Sequence, residues 1–247
     1  DQHAWRSLIP ITHSISTNVY TEDGIFLYTS DAAVAALEIM KQMFELANPD
    51  VNQEGTTDGG VNGTPDEAAF AAQQVAYYVK YQNAHLRFAS TWDDPTKLRL
   101  AALPKVEGGA GGTVFWTTGA VLFQYGGDKK QAAAYMDKLT HDERIWEHSV
   151  QGNPAKNETA VGQLPVYQTL WDEYAKQRPD WLTDWAIAIH DGLGAASGIH
   201  PTKLAITQFN VANPFYQAYL KGDESDPKAA LTKAWDAVNA QYKKSTT

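Results

Sequence analysis

An α/β fold is predicted for this chain, and three observations predict it. The stretch Gly112-Thr113-Val114-Phe115-Trp116-Thr117-Thr118-Gly119 places glycines and threonines around an aromatic pair and leads into the apolar run Ala120-Val121-Leu122-Phe123. Such a short, uncharged run suits a buried strand. A helix then reads from Asp128 to Leu139, with Ala132, Ala133, Tyr135, Met136 and Leu139 on its apolar face. A small-residue turn, a buried strand and a covering helix make one α/β unit. Other β-branched and aromatic runs recur between segments of helical period.

The N-terminal residues 1–29 lack a clean helical period, and Ile25-Phe26-Leu27-Tyr28 reads as a strand after the turn Glu22-Asp23-Gly24. Ser30 is an N-cap for a helix carrying Val34, Leu37, Met40, Met43 and Phe44, which Asn48-Pro49 ends. Residues 48–65 hold four Gly, three Asn and two Pro and read as a loop. Thr64-Pro65-Asp66-Glu67 opens a second helix, with Thr as cap, Pro in the first turn and Glu at the capping-box position. Val75–Val79 and Leu98–Leu103 read as strands. Gly108–Gly112 is a flexible crossing, a candidate hinge; it lacks the Lys-Ser/Thr ending of a phosphate loop. Thr140-His141-Asp142-Glu143 is a further capping box leading into Ile145 and Trp146. Helices follow at about 166–177 and 202–221, and Asp226-Pro227 caps a last helix with Leu231, Trp235 and Val238 on its core face. Residues 180–200 have no clear period.

Composition narrows the function. The 247 residues are 43% hydrophobic and 20% charged, an ordinary globular balance long enough to bury a substantial core. A net charge of -9 without any basic run argues against nucleic acid as a partner. No apolar run approaches the ~20 residues of a membrane span, and Asp1-Gln2-His3-Ala4-Trp5 does not read as a signal or transit peptide. With no cysteine, disulfides and thiolate chemistry are excluded. The seven histidines are scattered; His141 and His148, on one expected helix, lack the i, i+4 spacing of a metal pair. Asp93-Asp94 beside Trp92 could serve as an acid pair for glycoside cleavage, but adjacent side chains diverge and Asp94-Pro95 starts a turn. No Gly-x-Ser-x-Gly elbow is present. No catalytic set, cofactor or metal is expected. Aromatic and amide side chains do gather at expected strand ends and loops: Tyr81, Gln82, Asn83, Trp92, Trp116, Phe209 and Asn210, with the hydroxyl of Thr117 beside Trp116. Amides donate and accept, which matches hydroxyl-rich ligands, and aromatic rings cover the apolar faces of sugars. Taken one at a time, residues of these types more often serve the core.

The order of segments resembles the extracellular solute-binding proteins of ABC sugar importers, the maltose-binding-like family. Ser30–Leu46, Asp66–Val79, Gly112–Leu139 with Thr140–Glu143, the loop Gly162-Gln163-Leu164-Pro165-Val166 and Lys221–Tyr242 carry the resemblance. Gln73-Gln74, Gln82-Asn83 and Thr117-Thr118 depart from the family pattern. The resemblance implies a periplasmic-binding-protein type II-like two-lobe fold lacking most of its N-terminal lobe. Residues 1–108 would be a second-lobe segment, 109–159 would cross back to the first lobe, and 160–247 would be a second-lobe helical segment. It also implies non-catalytic carbohydrate binding outside the cytoplasm, in a periplasm or on a cell surface as a lipoprotein. The partners implied are a sugar, the transmembrane subunits of the importer and a missing N-terminal part of the same protein. A glycoside hydrolase using Asp93 or Asp94 is the alternative.

Trp116 separates a ligand role from a core role. Truncating an anchor at a ligand site costs ~2 kcal/mol or more, so Trp116→Ala should weaken sugar binding about thirtyfold or more with little change in melting temperature. A core Trp gives the reverse, a loss of ~3–5 kcal/mol of stability with affinity unchanged. Calorimetric titration and a melting curve on the one variant decide between them.

Overall fold

The computed structural model describes residues 4–47, 69–70, 72–79, 101, 103–109, 113–115, 121–156, 158, 162–193, 196–198, 204 and 206–246. The chain divides into two compact units. Unit 1 holds Asp1–Val79, Ala102–Phe115 and Ala195–Thr247, and unit 2 holds Lys80–Ala101 and Trp116–Gly194.

The long helices described in unit 1 are α1 (Trp5–Ile15), α2 (Asp31–Leu46), α7 (Thr207–Lys221) and α8 (Pro227–Thr246). Sequence explains each. In α1, Trp5, Leu8, Ile9 and Thr12 fall at helical spacing and are all buried. Pro10 sits inside this helix and cannot donate to the Arg6 carbonyl, so packing rather than intrinsic propensity holds α1 together. In α2, Ser30 caps by accepting from the Ala33 N–H at 3.2 Å, and Ala33, Ala36, Leu37 and Met40 form the buried face. Helix α7 ends at Gly222, whose φ of +90° is a left-handed conformation that a side chain would strain. Asp226 accepts from the Lys228 N–H at 2.8 Å and starts α8, which buries Ala230, Leu231, Ala234 and Val238. Helices α7 and α8 pack on each other, and α2 packs against both and against α1.

The centre of unit 1 is aromatic. Trp5 stacks on Phe209 with centroids 5.0 Å apart, and Phe26 meets Tyr28 edge-on at 5.0 Å and Phe209 edge-on at 6.3 Å. The 19–28 segment that supplies Phe26 and Tyr28 makes only an isolated antiparallel bridge, Tyr20 with Phe26. Gln208, fully buried, holds it instead. The Phe26 N–H donates to Gln208 Oε1 at 2.9 Å, Gln208 Nε2 donates to the Gly24 carbonyl at 3.2 Å, and the Tyr28 hydroxyl donates to the Gln208 carbonyl at 3.3 Å. Beside α1, β1 (Thr113–Phe115) and β2 (Ala196–Gly198) pair in parallel, Val114 opposite Ser197. Gly109 approaches the Ser14 carbonyl so closely that a Cβ there would lie 2.1 Å from its oxygen.

Unit 2 contains α3 (Lys129–His141), α4 (Glu143–Gln151), α5 (Gln168–Gln177) and α6 (Asp184–Leu193). Its core gathers Trp146, Val150, Trp171, Tyr174, Trp181, Leu182 and Ala186. Ser149 pins the loop before α5: its hydroxyl accepts from the Gln163 N–H and donates to the Gln163 carbonyl, both at 2.9 Å. Trp181 Nε1 donates to Glu143 Oε1 at 3.0 Å, which satisfies the indole at the edge of the core.

The α/β two-lobe expectation is overturned. The described residues are about 62% helix. Among the described residues the only ladder joins two three-residue strands, too short to form a layer. A strand needs a neighbour for its backbone groups; among the described residues Ile25–Tyr28 makes only the single bridge to Tyr20, and the other expected strands join no ladder. Val121, Leu122 and Phe123 are unpaired and exposed, Val121 at 73% and Phe123 at 74%. Val75–Val79 is likewise not a strand, and Tyr77 is 92% exposed. The helix after 128 is present with Asp128 as its cap, accepting from the Gln131 N–H at 3.0 Å, but none of its residues is buried. The Thr64–Glu67 helix start, most of the expected strand 98–103 and the glycines at 111–112 lie outside the described residues. Among the described residues no helix is long and apolar enough to cross a membrane.

Gln208→Leu should remove one acceptor and one donor from a dry site and leave the Phe26 N–H and the Gly24 carbonyl unsatisfied. An unsatisfied buried polar group costs ~1–3 kcal/mol, so the two together should lower stability by about 2–4 kcal/mol in urea unfolding. A loss under about 0.5 kcal/mol would show that the amide is replaceable.

Candidate functional site

Of the residues expected to contact a ligand, Tyr81, Gln82, Asn83, Trp92, Trp116 and Thr117 lie outside the described residues, as do Asp93 and Asp94. Phe209 is fully buried, stacked on Trp5 and packed edge-to-face with Phe26, so its ring serves the unit 1 core. Asn210, the next residue on α7, is exposed. Neighbours on a helix point about 100° apart, and these two do not converge on one surface.

The structure brings together a different set, in unit 2. The His141 ring, at the end of α3, stacks on Tyr167, the residue before α5, with centroids 4.8 Å apart and planes 23° apart. Tyr167 remains 44% exposed. The Thr140 hydroxyl and the Asp137 carbonyl both lie 3.0 Å from His141 Nδ1, and Asp137 Oδ1 lies 3.2 Å from it. At the start of α5, Gln168 Nε2 donates to Asp172 Oδ1 at 2.7 Å. An open aromatic pair thus carries a hydroxyl and a carboxylate at the His141 ring. Such a surface can stack on the apolar face of a ring and exchange hydrogen bonds with hydroxyls around it. Deeper in the same unit, His190 lies flat on Trp171 with centroids 3.9 Å apart, and its Nδ1 is 3.7 Å from Asp191. Among the described residues no group of three or more His, Asp or Glu side chains could hold a metal ion. No family model, curated protein or solved structure matches the chain.

Asp142 sets the position of His141. It ends α3, and its side chain caps α4 by accepting from the Arg144 N–H at 3.1 Å. The expected capping box beginning at Thr140 is therefore displaced by two residues. The Thr140 hydroxyl instead donates back to the Met136 and Asp137 carbonyls, at 3.2 and 3.0 Å. His141 and His148 consequently stand on separate helices, α3 and α4. His148 Nε2 instead lies 3.6 Å from Glu158. Sequence reasoning passed over the Tyr167 and His141 pair. The available signal was that Tyr167 follows the Gly162–Val166 loop directly, as an aromatic at a helix start.

The Arg144 guanidinium forms a fork on Asp142, with Nη2 to Oδ2 at 2.7 Å and Nε to Oδ1 at 3.0 Å. That side-chain hydrogen bonding holds the Asp142 carboxyl at about 2, with the Arg144 N–H and the charges of Arg144 and Lys138 acting in the same direction. An unfolded aspartate titrates near ~3.9. A depressed acid stabilises the folded state above its unfolded value, and that stabilisation disappears as pH falls from about 4 through about 2. Acid unfolding followed by tryptophan fluorescence should show this dependence, and Asp142→Asn should flatten it between about pH 4 and 2. An unchanged acid profile in the variant would exclude Asp142 as a contributor.

Proposed function

We propose that this chain binds a carbohydrate without altering it and hands it to the transmembrane subunits of an ABC importer, outside the cytoplasm. The observation that carries this reading is the exposed stack of Tyr167 on His141, edged by Thr140 and Asp137. Sugars present alternating apolar and hydroxyl-bearing surfaces, and this patch offers complements to both. The ordered segments between Ser30 and Tyr242 that resemble the solute-binding family support the same ligand class. No part of the proposal depends on closure of two α/β lobes, which the helical architecture replaces.

Calorimetric titration with a panel of mono- and oligosaccharides tests the reading. At least one should bind, and Tyr167→Ala should weaken it about tenfold or more, since 1.4 kcal/mol is a factor of ten and an aromatic anchor is worth that much. The melting temperature should scarcely move, because the ring is partly open. Absence of binding across the panel by a folded chain would contradict the proposal. Release of reducing ends that disappears in Asp94→Ala would replace it with a glycoside hydrolase.

A further inference from the structure

The oxygens around the His141 ring decide where its hydrogen sits. Three of them converge on Nδ1: the Asp137 carbonyl and the Thr140 hydroxyl at 3.0 Å each, and Asp137 Oδ1 at 3.2 Å. A carbonyl and an ionised carboxylate can only accept. The Thr140 hydroxyl has a single hydrogen, which the Met136 and Asp137 carbonyls draw at 3.2 and 3.0 Å. It therefore turns a lone pair toward Nδ1. A bare nitrogen at Nδ1 would face two acceptor-only oxygens at hydrogen-bond distance, whereas an N–H there is satisfied by them. The opposite tautomer could gain one bond from Thr140, and only by taking that hydrogen from the carbonyls. The neutral ring accordingly carries its hydrogen on Nδ1 and a lone pair on Nε2.

Among the described residues no group bonds Nε2, and the His141 side chain is 46% exposed. Tyr167 lies against one face of the ring with planes 23° apart, which sets the ring plane. The Nε2 lone pair thus points in a fixed direction, within the imidazole plane and past the edge of the ring. Only a donor can use it. A carboxylate or phosphate placed there would set lone pair against lone pair, and Arg144, the cation that could have offset this, is already forked on Asp142.

We infer that His141 Nε2 is the acceptor for a sugar hydroxyl, so that the site takes a sugar with a neutral hydroxyl at that edge and rejects one that presents an acid there. This rests on the carbohydrate reading above and names the group that the site selects.

Long-range nitrogen–proton correlation spectra of the full chain test the tautomer without a ligand, at about pH 8, where an ordinary imidazole is neutral. The chain has seven histidines, and the His141 signals are those missing from His141→Phe. Nδ1 should show the shift of a nitrogen that bears hydrogen, and Nε2 that of a bare one. Calorimetric titration with glucose, galactose, mannose and their disaccharides tests the selection. His141→Phe keeps a ring against Tyr167 but lacks Nε2, and it should weaken every sugar that the wild type binds about fivefold or more. Fluorine accepts but cannot donate, so in the mono-deoxyfluoro series of a bound sugar one position should cost the wild type about as much and His141→Phe almost nothing. A phosphate at that position should also abolish the gain. Three results would overturn the inference alone: hydrogen on Nε2, unchanged affinity in a His141→Phe chain whose far-UV circular dichroism is intact, or a fluorinated series with no such position. A wild type that binds no sugar of the panel would instead remove the carbohydrate reading, and the selection with it, whatever the tautomer.

Discussion

The buried amide of Gln208 is the constraint on which unit 1 depends. Residues 19–28 enter the aromatic core without a sheet to satisfy their backbone, and a lone bridge at Tyr20 and Phe26 cannot supply every partner. Backbone donors and acceptors cannot be left dry without large cost. Gln208 answers a donor and an acceptor at once, from one side chain on the first turn of α7. With the loop fixed, Phe26 and Tyr28 can close over Phe209, and Phe209 can receive Trp5 from α1. Three sequence-distant parts of the chain, around residues 5, 26 and 209, are thereby joined in one cluster.

Unit 2 solves its problem differently. Its core is small and rich in indole: Trp146, Trp171 and Trp181 come from α4, from α5 and from the turn before α6. Polar atoms at its edge are met locally, Trp181 by Glu143 and the 162–163 loop by Ser149. The break at Asp142 shapes the candidate site. A continuous helix would have carried His141 along the α3–α4 axis. Capping by Asp142 ends one helix and begins the next, which leaves the His141 ring free to lie on Tyr167.

Local signals in the sequence were read well, and tertiary ones were not. The Ser30 and Asp226 caps, the Asp128 helix start and the helices α2 and α8 require only neighbouring residues, and all appear in the structure, although Met43, expected on the apolar face of α2, is 45% exposed. Helix α1 was hidden because Pro10, Ser7, Thr12, His13 and Ser14 argue against a helix, while the spacing of Trp5, Leu8, Ile9 and Thr12 argues for one; burial decides it. The run 120–123 was misread because a short apolar stretch is equally a strand, a core segment or an exposed surface until its partners are known. Phe209 drew a ligand role from its residue type and its amide neighbour, yet its place is fixed by Trp5 and Phe26, which no local window contains. The Tyr167 and His141 pair escaped for the same reason, being formed across two helices.

The dependence of unit 1 on Gln208 is tested most directly by amide hydrogen exchange at Phe26. This N–H belongs to no helix and no ladder, and its acceptor is the Gln208 side chain at 2.9 Å. If the account is right, it exchanges as slowly as the central amides of α7 and α8, opening only with the unit as a whole. Exchange at the rate of an exposed loop amide, while the α7 and α8 amides stay protected, would show that the 19–28 segment opens independently and that the Gln208 amide does not hold the core together.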